Sequence, residues 1–265
     1  MGRSLPPGAR PVSAIPITPS DLAELLVRYL DRGLFGFDVD GVLSPLVDHA
    51  DQSVLGPGID AALTALTAHA HIAVVSGRSL SSLDRVFGFD ESIIVIGSHG
   101  LEWRGTAPIA LDDDETYTLD QLTIIGTKTV EAIGDGAWLE HKPASVVVHT
   151  RQADPALIGP ALAAATRLAQ MIDGAQIKAG HQVVEFLARS TSKGDALHQL
   201  ADQLNAAPII YLGDDVTDEE AFKMLGPDDV TVRVGPGATA AHYRLDGPDE
   251  VAATLNTLVG LLPTP

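Results

Sequence analysis

The stretch Phe37-Asp38-Val39-Asp40-Gly41-Val42-Leu43 decides how this chain is read. It is preceded by Leu34-Phe35-Gly36, so that residues 34–37 form a short apolar run without alternation, the pattern of a strand buried on both faces. The strand delivers two carboxylates two residues apart and then a glycine, which lets the backbone turn sharply. In an open parallel sheet ligands collect at the carboxyl ends of strands, and Asp38 and Asp40 are expected there. An Asp-x-Asp-Gly string alone also fits an ordinary loop or a calcium site, so its meaning depends on its surroundings.

Outward from that stretch, apolar segments alternate with helical ones. Strands are expected at 72–75, 93–96, 209–212 and 230–234, and helices at 20–32, 58–70, 79–87, 194–204, 218–225 and 248–262, with Thr18 or Ser20 as cap of the first helix. Short non-alternating strands between helices predict a doubly wound parallel α/β sheet. Residues 101–188 read differently, with helices at 119–133 and 155–171 and strand candidates at 138–141, 145–150, 175–178 and 182–186 around a turn at Ala179-Gly180. The predicted organisation is a disordered, proline-rich lead-in over 1–19, a core from 20–101 and 189–265, and an inserted α+β domain over 102–188. The acidic run Asp112 to Glu115 is read as a solvated loop.

Composition narrows the function. The 265 residues carry a net charge of −18, which argues against nucleic acid and anionic membrane surfaces as partners. The absence of cysteine excludes disulfides, thiolate nucleophiles and thiolate metal sites, and fits a cytoplasmic location. No run approaches the roughly 18 apolar residues of a membrane span. An acidic protein that handles phosphate must concentrate positive charge locally, from a metal ion or a few placed lysines and arginines.

Three further elements fall at strand ends or helix starts. Ser76-Gly77-Arg78 offers a hydroxyl and free backbone N–H groups suited to phosphate oxygens, although Ser76 taken alone is more often a helix cap. Ser192-Lys193-Gly194 sets an ammonium ahead of a helix, where a solvated surface lysine is the everyday alternative. Gly213-Asp214-Asp215-Val216-Thr217-Asp218 ends an apolar strand in clustered carboxylates. These would repel one another without a cation, and Mg²⁺ suits them because it takes one or two carboxylates together with water and substrate phosphate. An acidic helix start favoured by the helix dipole accounts for one or two of them.

In their order these four elements resemble the motifs of the haloacid dehalogenase (HAD) superfamily. That resemblance implies an HAD-like core with a type-2 (C2B) cap inserted between the serine and lysine motifs. It also implies Asp38 as nucleophile, Asp40 as general acid and then base, and Ser76, Gly77, Arg78 and Lys193 as phosphate-binding residues. Magnesium would be held by Asp38, the Asp40 carbonyl and Asp214, with Asp218 in support. A closer resemblance is to trehalose-6-phosphate phosphatases, through Gly97-Ser98-His99-Gly100, Glu140-His141-Lys142, His149-Thr150-Arg151, Val184-Glu185-Phe186 and Gly213-Asp214-Asp215-Val216-Thr217-Asp218-Glu219. It implies a sugar phosphate as substrate, His99, Gly100, Glu140, Lys142, Arg151 and Glu185 as substrate-binding residues, and a functional pairing with trehalose-phosphate synthase. For the cap residues, charge pairing across a strand surface is the competing reading. Val42 stands where that family's first motif usually has threonine. Phosphatases of sucrose phosphate, glycosyl-phosphoglycerate or a trehalose-like pseudo-sugar would share these features. A non-catalytic sugar-phosphate sensor or partner of trehalose-phosphate synthase is the more distant alternative, and the intact Asp38, Asp40, Lys193 and Asp214 argue against it. A phospho-receiver domain fails on size and on the large insertion.

Overall fold

The computed structural model describes residues 14–106, 111–180, 182–189 and 191–263. The first thirteen residues of the expected lead-in lie outside them. Residues 14–19 are ordered, which corrects the lead-in's end: Ile15–Pro16 (β1) pairs with a later strand, and Thr18 caps a helix (α1, Pro19–Leu26) by accepting from the Asp21 N–H. The chain continues through β2 (Leu34–Phe37), α2 (Ile59–Leu66), β3 (His71–Val75), α3 (Leu80–Val86), β4 (Ile94–Gly97) and β5 (Glu102–Trp103). A second compact unit, Gly105–Thr191, follows, and the segments flanking it form the first unit. The unit boundary lies just beyond the predicted residue 101, because β5 pairs antiparallel with β4.

The inserted unit holds α4 (Asp113–Ile133), β6 (Trp138–Lys142), β7 (Ser145–His149), α5 (Pro155–Ala169), β8 (Gln176–Gly180) and β9 (Val183–Leu187). Its antiparallel sheet has the order β6-β7-β9-β8. Val146, Val148, Val184 and Phe186 line one face of that sheet and pack with Leu122, Ile133, Ala165 and Ala169 of the two helices. The acidic run at its entrance is not a loop. Asp112 and Glu115 form a reciprocal capping box that starts α4 several residues earlier than expected, and Arg189 pairs with Glu115.

The chain then returns to the first unit through α6 (Lys193–Leu204), β10 (Ile209–Gly213), α7 (Val216–Met224), β11 (Val230–Val234), β12 (Tyr243–Leu245) and α8 (Pro248–Gly260). Its eight strands run β1-β12-β11-β10-β2-β3-β4-β5, all parallel except the β4–β5 pair. Alternate side chains along each strand feed two cores. Phe35 and Phe37 join Leu22, Leu63 and Leu255 on one face, while Leu34 and Tyr211 join Leu197, Leu200 and Phe222 on the other. Gly36 is required on that second face, since a Cβ there would meet Leu197 Cδ2 at 2.6 Å.

The order of crossovers places the site. From β2 the chain winds outward through β3 and β4, and from β10 it winds the opposite way through β11 and β12. The adjacent carboxyl ends of β2 and β10 are therefore the topological switch point of the sheet, where a crevice opens. Among the described residues no helix is long and apolar enough to cross a membrane.

Candidate active site

Asp38 follows β2 and Asp214 follows β10 at that switch point, and the Asp38 N–H donates to the Leu212 carbonyl at 3.0 Å. Between them Lys193 projects from the first residue of α6. It is 1% exposed, with Nζ at 2.9 Å from Asp38 Oδ2 and 2.8 Å from Asp218 Oδ1. This is the opposite of a solvated surface lysine. Burial alone would lower its pKa, but Asp38 and Asp218 hold it charged and above the ordinary lysine range.

Asp218 is fully buried and its carboxylate is saturated. Oδ1 accepts from Lys193 and from the Tyr211 hydroxyl at 2.6 Å, and Oδ2 accepts from the N–H groups of Asp214 and Asp215. Burial works against the charge, yet Lys193 and these hydrogen bonds bring Asp218 down to about 2. With four lone-pair positions used, Asp218 is suited to anchoring Lys193 and the Asp214 loop rather than to binding an ion directly. Asp215 is the N-cap of α7, with Asp218 as the reciprocal partner in a capping box. Part of the acidic cluster is therefore a helix start, as its alternative reading held.

Asp214 is different. Burial, then Asp218 and Asp215, push its carboxyl up to about 7. Asp38 is pushed well above the usual carboxylate range by burial, with Lys193 opposing and Asp218 adding to the rise. Carboxylates thus outnumber the one buried cation, and oxygens of Asp38, Asp214 and Asp218 lie within 4.8 Å of one another. An all-oxygen donor set short of positive charge fits a hard divalent cation. Gly41 leaves room beside it: at φ +81° its missing Cβ would fall 2.1 Å from Asp214 Oδ2. Gly41→Ala is expected to displace Asp214 and lower kcat/KM by about 100-fold, with more metal needed for half-maximal activity. Gly105→Ala makes the control, because Gly105 has a similar φ of +78° with open space around it, and it should leave activity within about two-fold. Equal behaviour of the two variants would show that the Gly41 site does not depend on this close approach.

The residues expected to bind phosphate come together after β3. Ser76 is buried and accepts from the Arg78 N–H at 3.2 Å. It is not the helix cap, since Ser79 caps α3. His99 and Gly100 lie in the loop after β4, with the His99 N–H on the Ser76 carbonyl and its ring against Gly77. They belong to this loop and not to the inserted unit. Arg78 is engaged elsewhere than expected. Nε and Nη2 bind both oxygens of Asp40 at 2.6 Å each, while Nη2 also reaches Ser53 and Nη1 the Ala50 carbonyl. This two-pronged fork is the bidentate geometry of a guanidinium on a carboxylate, and it fixes the Asp40 side chain in place.

The expected sugar readers sit in the inserted unit. Glu140 and Lys142 lie on β6 and Glu185 on β9, where Lys142 Nζ is 3.3 Å from Glu185 and the Ser145 hydroxyl donates to Glu185 at 2.6 Å. Glu140 pairs with His149 at 2.8 Å, and Arg151 is exposed just beyond β7. The sequence pointed to neither Tyr211 nor Ser53, nor to Arg233, whose Nη1 reaches the Asp215 carbonyl and Glu219. Tyr211 reads as strand filler, and the other two act through partners distant in sequence.

A doubly wound sheet with Asp38, Lys193 and Asp214 converging at its switch point, interrupted by an α+β insertion, defines a protein of the haloacid dehalogenase-like class. The Trehalose-phosphatase family profile matches residues 36–249, and the chain belongs to that family. It is 34% identical over 244 residues to a trehalose-phosphate phosphatase of Mycobacterium marinum, covering 86% of this chain and 62% of that protein. It is 37% identical over 232 residues to one of Mycobacterium tuberculosis, covering 82% and 58% respectively. The chain thus spans about three fifths of the length of these curated relatives. In fold it is similar to the C-terminal domain of Candida albicans trehalose-6-phosphate phosphatase, with a TM-score of 0.73 and 23% identity over 95% of this chain and all of that one. The HAD-like family implies a divalent metal ion, which the neighbouring carboxylates of Asp38 and Asp214 fit, with Asp218 in support through its hold on Lys193 and the Asp214 loop.

Proposed function

We propose that this protein hydrolyses trehalose 6-phosphate to trehalose and phosphate through a phospho-aspartate on Asp38. The observation that carries the reading is the buried Lys193 bridging Asp38 and Asp218 next to Asp214, since a carboxylate attacking a dianionic ester needs positive charge fixed beforehand. An Asp38 oxygen forms a bond to phosphorus as the ester P–O bond breaks, and the leaving sugar oxygen takes a proton from Asp40. Water then attacks the acyl phosphate, gives its proton to Asp40 and restores the Asp38 carboxylate. Asp40 must be released from the Arg78 fork to give the proton in the first half and to take it in the second, since Arg78 engages both of its oxygens. Magnesium is the ion we assign to Asp38, Asp214 and the Asp40 carbonyl, where it would neutralise charge on the transferring group. Ser76, the Gly77 amide and Lys193 orient the phosphoryl group, and Glu140, Lys142, Arg151 and Glu185 read the sugar hydroxyls. The substrate is the product of a glycosyl transfer, so a trehalose-phosphate synthase is the natural supplier.

The test is phosphate release from trehalose, sucrose, glucose and mannosyl-glycerate phosphates with Mg²⁺, repeated in EDTA. Trehalose 6-phosphate should show a kcat/KM at least ten-fold above the others, activity should vanish in EDTA, and Mg²⁺ should restore it. Preference for another sugar phosphate would reassign the substrate, and full turnover in EDTA would remove the metal.

A further inference from the structure

Trp138 is the first residue of β6 and is 52% exposed. Its face of the sheet is fixed by its neighbours. Leu139 points the other way, onto α4, where a Cβ on Gly126 would meet Leu139 Cδ1 at 2.7 Å. Trp138, Glu140 and Lys142 therefore share the opposite face by the two-residue alternation of a strand. Across the ladder Trp138 stands opposite His149, Lys142 opposite Ser145, and Val147 of β7 opposite both Glu140 and Glu185. Exposed tryptophan on a face otherwise carrying charged side chains asks for an explanation.

The indole is held rigidly. Its ring stacks on His149 with centroids 3.8 Å apart and planes within 2°, and His149 Nε2 is tied to Glu140 at 2.8 Å. One indole face is thus covered by the imidazole while the rest of the ring remains open. A flat, fixed, negatively polarised π-surface suits the C–H face of a pyranose ring whose hydroxyls are equatorial, because such a face is apolar with slightly positive hydrogens. Trp138 and Lys142 are four residues apart on the strand, about 13 Å at 3.3 Å per residue. A single sugar ring does not span that row, but two joined rings do.

We infer that Trp138, backed by His149, is a specificity residue that stacks on the second pyranose ring of a disaccharide leaving group whose first ring is read by Glu140, Lys142 and Glu185. This deepens the proposed function and rests on it for the phosphate ester. The bland alternative is a cross-strand aromatic pair that stabilises the sheet edge.

Two measurements separate these. In the first, wild-type, Trp138→Ala and Trp138→Phe proteins are assayed on trehalose 6-phosphate, glucose 6-phosphate and p-nitrophenyl phosphate. Trp138→Ala should raise KM for the disaccharide ester about three- to ten-fold, the range of one aromatic stacking contact, and Phe should recover most of it. The two smaller substrates should be unchanged. Equal losses on all three would assign Trp138 to the fold, and equal losses on both sugar esters alone would assign it to the first ring; either overturns the inference. The second measurement does not depend on turnover. Titrating free trehalose should shift the tryptophan emission of the wild type and shield it from acrylamide, with no response in Trp138→Phe, where Trp103 remains. If no sugar ester is hydrolysed, the proposed reaction fails, and this titration alone decides on Trp138. An identical response in both proteins, or none in either, overturns the inference.

Discussion

Asp38→Asn should reduce turnover by about four to six orders of magnitude with little change in fold, because it removes the attacking charge and nothing else of size. The side chain is buried in a site that already fits its volume, and Asn differs from Asp by one amide group. Lys193 keeps Asp218 as a charged partner at 2.8 Å, so the substitution does not strand a buried cation. Two readouts check the role. Steady-state phosphate release gives the loss, and acid-quenched mass spectrometry should find phosphate on the Asp38 peptide of the wild type during turnover and none in the variant. Retention of more than about a tenth of wild-type activity would reject Asp38 as the nucleophile. A deep loss of activity with phosphate still trapped on the variant's peptide would move the nucleophile to another residue. Asp40 is the residue to examine then, and the engagement of both its oxygens by Arg78 argues against it as the attacking group.

Much of the first unit is legible because its strands are short, apolar and non-alternating, and because each candidate site residue follows a strand or opens a helix. The structure gives Val230–Val234 as a strand with the predicted bounds, and the runs leading to Asp38, Ser76 and Asp214 as β2, β3 and β10. What escaped has a common physical cause. The strands Ile15–Pro16, Glu102–Trp103 and Tyr243–Leu245 are two or three residues long, too short for any periodicity, and exist only because a neighbouring strand supplies the hydrogen bonds. The fork between Arg78 and Asp40 joins residues 38 positions apart, and nothing local to either predicts it. Asp112 to Glu115 looked like a charge run because its capping function shows only when Asp112 and Glu115 are seen to exchange backbone contacts. Burial of Lys193 was equally invisible. A lysine before a helix reads as solvated, and only the convergence of α6 on the ends of β2 and β10 puts it between two carboxylates.

That burial makes Lys193 the residue whose loss should cost most in stability as well as activity. Lys193→Met keeps the apolar stem and length but removes the charge, leaving Asp38 and Asp218 facing each other without a cation. Breaking a buried ion pair by deleting one partner costs about 3–5 kcal/mol, since the stranded charge has lost its solvation and its counterion together. Urea denaturation in EDTA, so that no divalent ion substitutes for the ammonium, should show a loss of that size. Activity should fall by several orders of magnitude. The double variant Lys193→Met/Asp218→Asn identifies the cause. Asn at 218 can keep its carbonyl on the Asp214 and Asp215 N–H groups and turn its NH₂ toward the Tyr211 oxygen, so one of the two stranded charges disappears and Asp38 no longer faces a second carboxylate. The double variant should therefore be more stable than Lys193→Met by about 2 kcal/mol, a coupling that a double-mutant cycle measures directly, while remaining inactive. Were Lys193→Met to cost less than about 1 kcal/mol, the two carboxylates would have to share a proton in place of the ammonium. Were the double variant to regain activity, Lys193 would be holding Asp218 in place and taking no part in phosphoryl transfer.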